Sequence, residues 1–489
     1  MSLTDRPSTV QRGPQIEFDD LTVRFADRAK PAIRNITERI DPGEIVAITG
    51  PSGCGKTTLV RALAGFIPSL IPAEFRGDVR VGGRSTMHVD PAKTATHVGL
   101  VQQDPDAQIC TLRVRQEVAF GPENLCLPAD EIRRRVSRAL RIAGIEHLSN
   151  RETPNLSGGE KQRLAIASIL AMEPEILVLD EPTANLDPPG AKGIFDTLAA
   201  LREREGRTLL VVEHRLAPLL SHEPRLWVMD GGRVVLRKVT RRHEDLVALG
   251  LRGCQDPGTA HPHRITPGLS LRNVRVGYGS HCVIDGLSLD VRHGEILGVI
   301  GANGCGKTTL LRLLAGLERT ETGAAERVEG MRVGMVFQHP HQQIFEQTVR
   351  RELEIDGKLN DAGCSALLEE ARLSGLEEAA PFSLSLGEQR RLTVAAALRT
   401  RPDLLLLDEP FIGQDRHNVA WMVGRILGAR DRGAAIVLVS HDVALLAGLC
   451  DRILYLGDEP IEGSPHEVFA GLRKMGLDAF TPAYWEGGS

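Results

Sequence analysis

The chain repeats itself. The stretch GEIVAITGPSGCGKTTLVRALAGF at 43–66 returns as GEILGVIGANGCGKTTLLRLLAGL at 294–317. Further pairs follow in the same order. HVGLVQQDPDAQIC (97–110) matches RVGMVFQHPHQQIF (332–345), and NLSGGEKQRLAIASIL (155–170) matches SLSLGEQRRLTVAAAL (383–398). EILVLDEPTANLD (175–187) matches DLLLLDEPFIGQD (403–415), and LLVVEHRL (209–216) matches IVLVSHDV (436–443). A chain written this way folds as two copies of one unit. The halves are read as 15–245 and 268–480, and the polar, Pro- and Gly-containing stretch 246–267 as a linker.

Spacing within the repeat separates what is constrained from what is not. Ser157 to Asp180 is 23 residues and Ser385 to Asp408 is again 23, while Asp180 to His214 is 34 against 33 for Asp408 to His441. Lys56 to Gln103 is 47 residues, but Lys307 to Gln338 is 31. An insertion there reads as surface structure, where extra length is tolerated. Short apolar runs such as EIVAI, ILVLD and LLVVE alternate with helical stretches such as TTLVRALAG and KQRLAIASIL. That alternation predicts an α/β fold, with a mainly parallel sheet and crossover helices in each half.

Gly50-Pro51-Ser52-Gly53-Cys54-Gly55-Lys56-Thr57 and Gly301-Ala302-Asn303-Gly304-Cys305-Gly306-Lys307-Thr308 both fit the G-x-x-x-x-G-K-[ST] pattern, each after an apolar strand and before a helix. Glycines let backbone N–H groups turn inward onto phosphate oxygens, and the helix start adds positive potential. The lysines neutralise β- and γ-phosphate oxygens, and Thr57 and Thr308 offer a hydroxyl to Mg²⁺. Thr58 and Thr309 continue each loop into its helix. Cys54 and Cys305 read as tolerated small residues whose thiols would make turnover sensitive to thiol reagents. Asp180-Glu181 and Asp408-Glu409 end apolar strands; the Asp suits Mg²⁺ and the Glu suits polarising a water that attacks the γ-phosphate. The plainer alternative is a strand-end carboxylate that caps the next turn. Ser157-Gly158-Gly159-Glu160 and Ser385-Leu386-Gly387-Glu388 have the S-x-x-E form of a capping box, and a capped helix start is also an anion site.

With LSGGE at 156–160 placed about 20 residues before the Asp-Glu strand, the chain resembles the ABC ATPase family, twice and over nearly its whole length. The resemblance implies two tandem P-loop NTPase domains, each with an antiparallel β subdomain and a helical signature subdomain. It implies ATP and Mg²⁺ as cofactors. Gln103 and Gln338 match the glutamines that approach Mg²⁺ and sense a membrane partner, and Asp187 and Asp415 match the family's D-loop. His214 and His441 match the histidine at the γ-phosphate. Phe25 and Tyr278 lie where the family stacks an aromatic on adenine, although Phe25 fits the core of a strand equally well. In the family, two halves dock head to tail, which here would face Lys307 with Ser157-Gly158-Gly159 and Lys56 with Ser385-Leu386-Gly387. Leu386 departs from the first signature glycine; its β-carbon is expected to restrict the backbone and its bulk to crowd nucleotide.

Gln103-Asp104-Pro105-Asp106-Ala107-Gln108, its counterpart from Gln338 to Gln343, VAFGPENL (118–125) and VEHRL look like the ATPases of energy-coupling factor importers. Such motors drive a transmembrane coupling subunit and a separate substrate-binding membrane subunit that take up vitamins, their precursors or metal ions. The alternatives are a tandem sugar-importer ATPase and a soluble tandem protein acting on ribosomes. A net charge of −5 and 4% aromatic residues give no basic, aromatic-laced patch, so no nucleic-acid partner is expected. The densest basic run, EIRRRVSRALR (131–141), reads as a solvated helix face. Eight cysteines without a C-x-x-C pair fit reduced thiols, not a disulfide framework or zinc site. No stretch approaches the ~20 apolar residues of a membrane span. The chain is therefore expected to be soluble and to sit at the cytoplasmic face of the membrane through its partners.

Overall fold

A computed structural model describes residues 15–26, 30–184, 186–239, 267–279, 281–354 and 361–482. The chain divides into two compact units, residues 1–251 and 252–489. The expected linker, apart from Pro267, lies outside the described residues.

In the first unit the strands are Ile16–Arg24 (β1), Ile33–Ile40 (β2), Ile45–Thr49 (β3), Glu74–Val81 (β4), Arg84–Ser85 (β5), Val98–Val101 (β6), Ile176–Asp180 (β7), Thr208–Val212 (β8), Arg225–Asp230 (β9) and Arg233–Val239 (β10). One sheet has the order β10-β9-β3-β8-β7-β6 and the other β2-β1-β4-β5. The larger is parallel from β9 to β6, with β10 antiparallel at its edge; the smaller is antiparallel.

The second unit repeats the plan with Pro267–Tyr278 (β11), His281–Arg292 (β12), Ile296–Ile300 (β13), Thr322–Arg327 (β14), Val333–Val336 (β15), Leu404–Asp408 (β16), Ala435–Val439 (β17), Arg452–Tyr455 (β18) and Ile461–Gly463 (β19). Its sheets run β15-β16-β17-β13-β18-β19 and β12-β11-β14.

The central strands are apolar because both faces of the parallel sheet are covered. Every residue of β3, β7 and β8 is buried. Side chains alternate between two cores. Ile45, Ala47, Leu177, Leu179, Leu209 and Val211 face the helices, whereas Val46, Ile48, Ile176, Val178, Leu210 and Val212 face the antiparallel sheet and the loop helix Lys56–Leu63. The second unit divides in the same way, with Leu405, Leu407, Ile436 and Leu438 on one side and Leu404, Leu406, Val437 and Val439 on the other. The unequal Lys-to-Gln spacing has a location: the first unit places β5 and the short helix Pro91–Thr94 between β4 and β6, and the second passes from β14 to β15 without them.

The signature helix Gly158–Ala171 packs with the helices Val114–Asn124 and Ala129–Ile142. Its counterpart Leu386–Arg399 forms a separate small core with Val349, Leu353, Cys364 and Leu368. The basic run lies on Ala129–Ile142 and is neutralised from within: Arg134 and Arg135 pair with Glu131, and Arg135 and Arg138 with Glu173. Among the described residues no helix is long and apolar enough to cross a membrane.

Leu406 sits at 0% exposure in the middle of β16. Truncation to Ala leaves a cavity that the flanking strands cannot close. Leu406→Ala is expected to cost about 2–5 kcal/mol, seen by calorimetry as a lowered melting transition for the second unit.

Candidate functional site

Parallel order brings the chemistry together. The C-terminal ends of β3, β8, β7 and β6 are neighbours in one sheet, and the loops leaving them carry Gly50–Thr57, Glu213–His214, Glu181 and Gln102–Gln103. In the second unit β13, β17, β16 and β15 do the same for Gly301–Thr308, Ser440–His441, Glu409 and Phe337–Gln338.

Each phosphate loop wraps its own lysine. Lys56 Nζ donates to the Gly50 and Pro51 carbonyls at 2.9 and 3.0 Å, and Lys307 Nζ to the Gly301 and Ala302 carbonyls at 2.9 and 2.8 Å. Both lysines are buried. Gly50 and Gly301 have φ of +147° and +157°, and a β-carbon on either would run into the carbonyl oxygen of Met229 or Leu456. Only glycine permits that approach. The helices that follow begin at Lys56 and Lys307 with no side-chain cap, so backbone donors at their starts are left for an anion.

Thr308 Oγ1 donates to Asp408 Oδ2 at 2.7 Å. Burial pushes Asp408 up to about 6, against the pull of the Thr308 hydrogen bond. Burial also carries Asp180 to about 6, with the neighbouring Glu181 charge adding to the rise and Thr57 opposing it. Asp180 Oδ1 is buried without a hydrogen-bond partner. A hydroxyl beside a dehydrated carboxylate is a set of hard oxygen ligands that suits Mg²⁺ shared with phosphates. Among the described residues no group of three His, Cys, Asp or Glu forms a metal cage, which is compatible with that manner of binding. Bound there, the ion would neutralise phosphate charge.

Glu181 and Glu409 each adopt φ near +50°, left-handed backbone that costs of order 1–3 kcal/mol for such a residue. The strain is held by Glu181 N–H donating to the Val212 carbonyl and Glu409 N–H to the Val439 carbonyl. Burial raises the Glu181 carboxyl, but His214, Lys56 and Gln103 together hold it below its ordinary range. Gln103 Nε2 donates to Glu181 Oε2 at 2.9 Å, and His214 Nε2 lies 3.4 Å from Glu181 Oε1. His441 Nε2 lies at the same 3.4 Å from Glu409 Oε1.

Ser157 and Ser385 both cap their helices in complete capping boxes with Glu160 and Glu388. Leu386 is the first residue of a right-handed helix, so the expected restriction of the backbone by its β-carbon does not arise. What remains is bulk: the side chain is 41% exposed. Asp187 and Asp415 cap the helices Pro188–Glu205 and Arg416–Asp431. Tyr278 is 48% exposed with its hydroxyl on Glu318 at 2.9 Å, while Phe25 is partly buried against the core. Cys54 is buried and its thiol is pushed up by that burial, and both oppose the expected reaction with thiol reagents there.

Several residues beyond the motif positions take part. Gln108 and Gln343 side chains accept from the Gln102 and Phe337 N–H groups at 3.0 and 2.6 Å, closing the loop around each candidate glutamine. The buried Glu117 accepts from Cys110 and Thr111 N–H, and Glu352 from Phe345 and Glu346 N–H. Their signal was available, since both lie 14 residues after the candidate glutamine. Arg390 joins the signature helix to the Gln338 and Ile412 carbonyls, each at 2.7 Å, and Lys161 reaches Asp106 at 2.6 Å. Burial pushes the Glu213 carboxyl up, with Arg215 opposing.

The fold and these loops define a duplicated P-loop ATPase. The ABC transporter family model matches residues 33–184 and 284–412. An ABC transporter ATP-binding protein of Methanosarcina acetivorans, provisionally so named, is 32% identical over 94% of this chain and 86% of its own length. In Bacillus subtilis, YkoD, provisionally named as an HMP/thiamine import ATP-binding protein, is 32% identical over 93% of this chain and 92% of its own. The chain belongs to the ABC transporter family, as a protein with two fused ATP-binding domains. ABC ATPase domains bind ATP, generally with Mg²⁺, and generally hydrolyse it. A solved structure of ribosome-bound archaeal Pelota and ABCE1 aligns with a TM-score of 0.74 at 24% identity, over 96% of this chain and 84% of that one. One of archaeal stalk protein aP1 with the recycling factor aABCE1 aligns at 0.67 and 23%, over 93% and 92%. At these identities the likeness is one of fold.

The raised carboxylates set a sign for pH. Asp180 and Asp408 hold protons up to about 6, above the ordinary 3.8, so in the metal-free protein they lower stability as pH rises between about 4 and 6. Mg²⁺ held by these carboxylates would have to displace those protons. Calorimetry of Mg²⁺–ATP binding in buffers of different ionisation enthalpy should show proton release near pH 6, falling away by about pH 8. Alkylation followed by mass spectrometry should label the exposed Cys126 at least about tenfold faster than the buried Cys54.

Proposed function

We propose that this chain is the ATP-hydrolysing motor of an importer of the energy-coupling factor type, taking up a vitamin, a vitamin precursor or a transition-metal ion. The observation that carries the reading is likeness over 93% of the chain, at 32% identity, to a protein named for HMP/thiamine import. The ribosome-associated neighbours stand at 23–24% identity, a likeness of fold alone. The Q-x-P-x-x-Q elements support the same reading. In both units they are closed by the same glutamine and carboxylate clamps, and an apolar side chain, Leu112 or Phe345, stands 73% exposed beside each. A rigid loop with an exposed apolar side chain suits transmission of movement to a helix of a membrane partner. The partners would be a transmembrane coupling subunit and a substrate-binding membrane subunit, with the motor at the cytoplasmic face.

The two ATPase domains are taken as 15–245 and 268–480. In each, Lys56 or Lys307 would hold phosphate oxygens, Thr57 with Asp180 or Thr308 with Asp408 would hold Mg²⁺, and Glu181 or Glu409 would orient the attacking water. Gln103 with His214, and Gln338 with His441, would position that carboxylate and the γ-phosphate. Tyr278, and Phe25 in the first half, would lie against adenine. Under the family's head-to-tail pairing, Lys307 would work with the intact Ser157-Gly158-Gly159 and Lys56 with the altered Ser385-Leu386-Gly387, making the sites unequal.

Glu409→Gln is therefore expected to lower ATPase turnover by about tenfold or more, and Glu181→Gln by clearly less; equal losses would remove the asymmetry. Affinity purification of the chain from membranes should recover two integral membrane proteins and, on the substrate-binding one, a small molecule identifiable by mass spectrometry. Recovery on ribosomes without membrane proteins would overturn the importer reading.

A further inference from the structure

The residue before the candidate histidine differs between the halves, Glu213 in one and Ser440 in the other. The difference redirects a backbone hydrogen bond at the centre of the site. In the first unit Glu213 Oε1 accepts from the His214 and Arg215 N–H groups at 3.0 and 3.1 Å, while its Oε2 accepts from the Thr183 hydroxyl at 2.7 Å. Glu213 is 3% exposed, and Arg215 in turn donates to the Thr183 carbonyl. In the second unit Ser440 Oγ accepts from Asp442 N–H at 3.1 Å, and the His441 N–H donates to Glu409 Oε2 at 3.2 Å. The corresponding oxygen in the first unit, Glu181 Oε2, accepts from the Gln103 side chain at 2.9 Å.

We propose that Glu213 is a positioning residue of the first site: by taking the His214 backbone N–H it leaves one oxygen of Glu181 to Gln103. A buried N–H seeks an acceptor. With Glu213 present that acceptor is a dedicated carboxylate, braced by Thr183. With serine in its place the N–H turns to the neighbouring glutamate, as it does at His441. The first half thus ties its water-orienting carboxylate to the loop of Gln103, the segment next to the exposed Leu112. The second half ties its carboxylate to the backbone of the histidine turn. The duplicated site is unequal in its internal wiring as well as in its signature. This rests on the role proposed above for Glu181.

Hydrogen–deuterium exchange of the full chain tests it. Glu213→Ser should raise exchange about fivefold in two places, around 208–216 and in the Gln103 loop at 101–109. Glu213→Gln keeps a carbonyl oxygen for both N–H groups and should return both segments to the wild-type rate. A rise confined to 208–216 would make Glu213 a local brace and overturn the proposal, as would no rise at 101–109 in either variant. Turnover in a Glu409→Gln background supplies a second readout. There Gln103→Ala should lower the rate severalfold beside Glu213 but by less than about twofold beside Glu213→Ser, since coupled residues are not additive; equal losses would also overturn it. Glu181→Gln in that background examines the underlying role separately. Retained turnover would sink the assignment of Glu181 while the exchange result still decides the place of Glu213.

Discussion

A parallel sheet must be covered on both faces, and this constraint organises everything else. Covering it requires crossover helices, and crossovers send every strand in the same direction. The C-terminal ends of β3, β8, β7 and β6 therefore meet along one edge, and so do those of β13, β17, β16 and β15. Phosphate loop, histidine turn, carboxylate pair and glutamine loop are far apart in the chain and adjacent there for this reason alone. The apolar content of ILVLD or LLLLD belongs to stability, and its consequence is placement: the first polar residues after such a strand emerge at a fixed point, with Asp180 and Asp408 on the last strand position.

At that edge the protein keeps conformations that are costly elsewhere. Glu181 and Glu409 are held in left-handed backbone, Gly50 and Gly301 are pressed against carbonyl oxygens, and Asp180 and Asp408 are buried far enough to bind protons well above the ordinary range. The two glutamates are held there by N–H bonds to the Val212 and Val439 carbonyls at the ends of the neighbouring strands. Each also suits a site that receives a polyanion and a hard cation, since buried oxygens and inward-turned N–H groups are complementary to both.

Much of this was legible beforehand. The repeat announced two units, the apolar runs announced β3, β7, β8 and their counterparts, and S-x-x-E announced capping boxes that are present at Ser157 and Ser385. Leu386 stands where the other half carries glycine, a pattern that suggests a need for glycine's backbone, but the helix there is right-handed and accommodates a side chain. The burial of Cys54 is not legible in the loop motif, because a motif fixes residue type and not exposure. The role of Glu117 and Glu352 is not legible locally although their spacing repeats, since a carboxylate at a helix start is ordinarily a cap and nothing nearby says that it clamps a loop seven residues upstream.

The sequence alone determined that there are two ATP-binding halves, which residue types form each phosphate loop and strand end, and that one signature is altered. These follow from pattern, because periodicity and glycine placement are local properties of a chain. Only the tertiary structure decided which donor each carboxylate receives: Gln103 on Glu181, the His214 N–H on Glu213, the His441 N–H on Glu409. Glu213 and Ser440 occupy equivalent positions after equivalent strands, yet the His214 N–H stays on its own neighbour while the His441 N–H crosses to Glu409, 32 residues away in sequence. That choice of acceptor depends on distance in space, and no spacing along the chain encodes it.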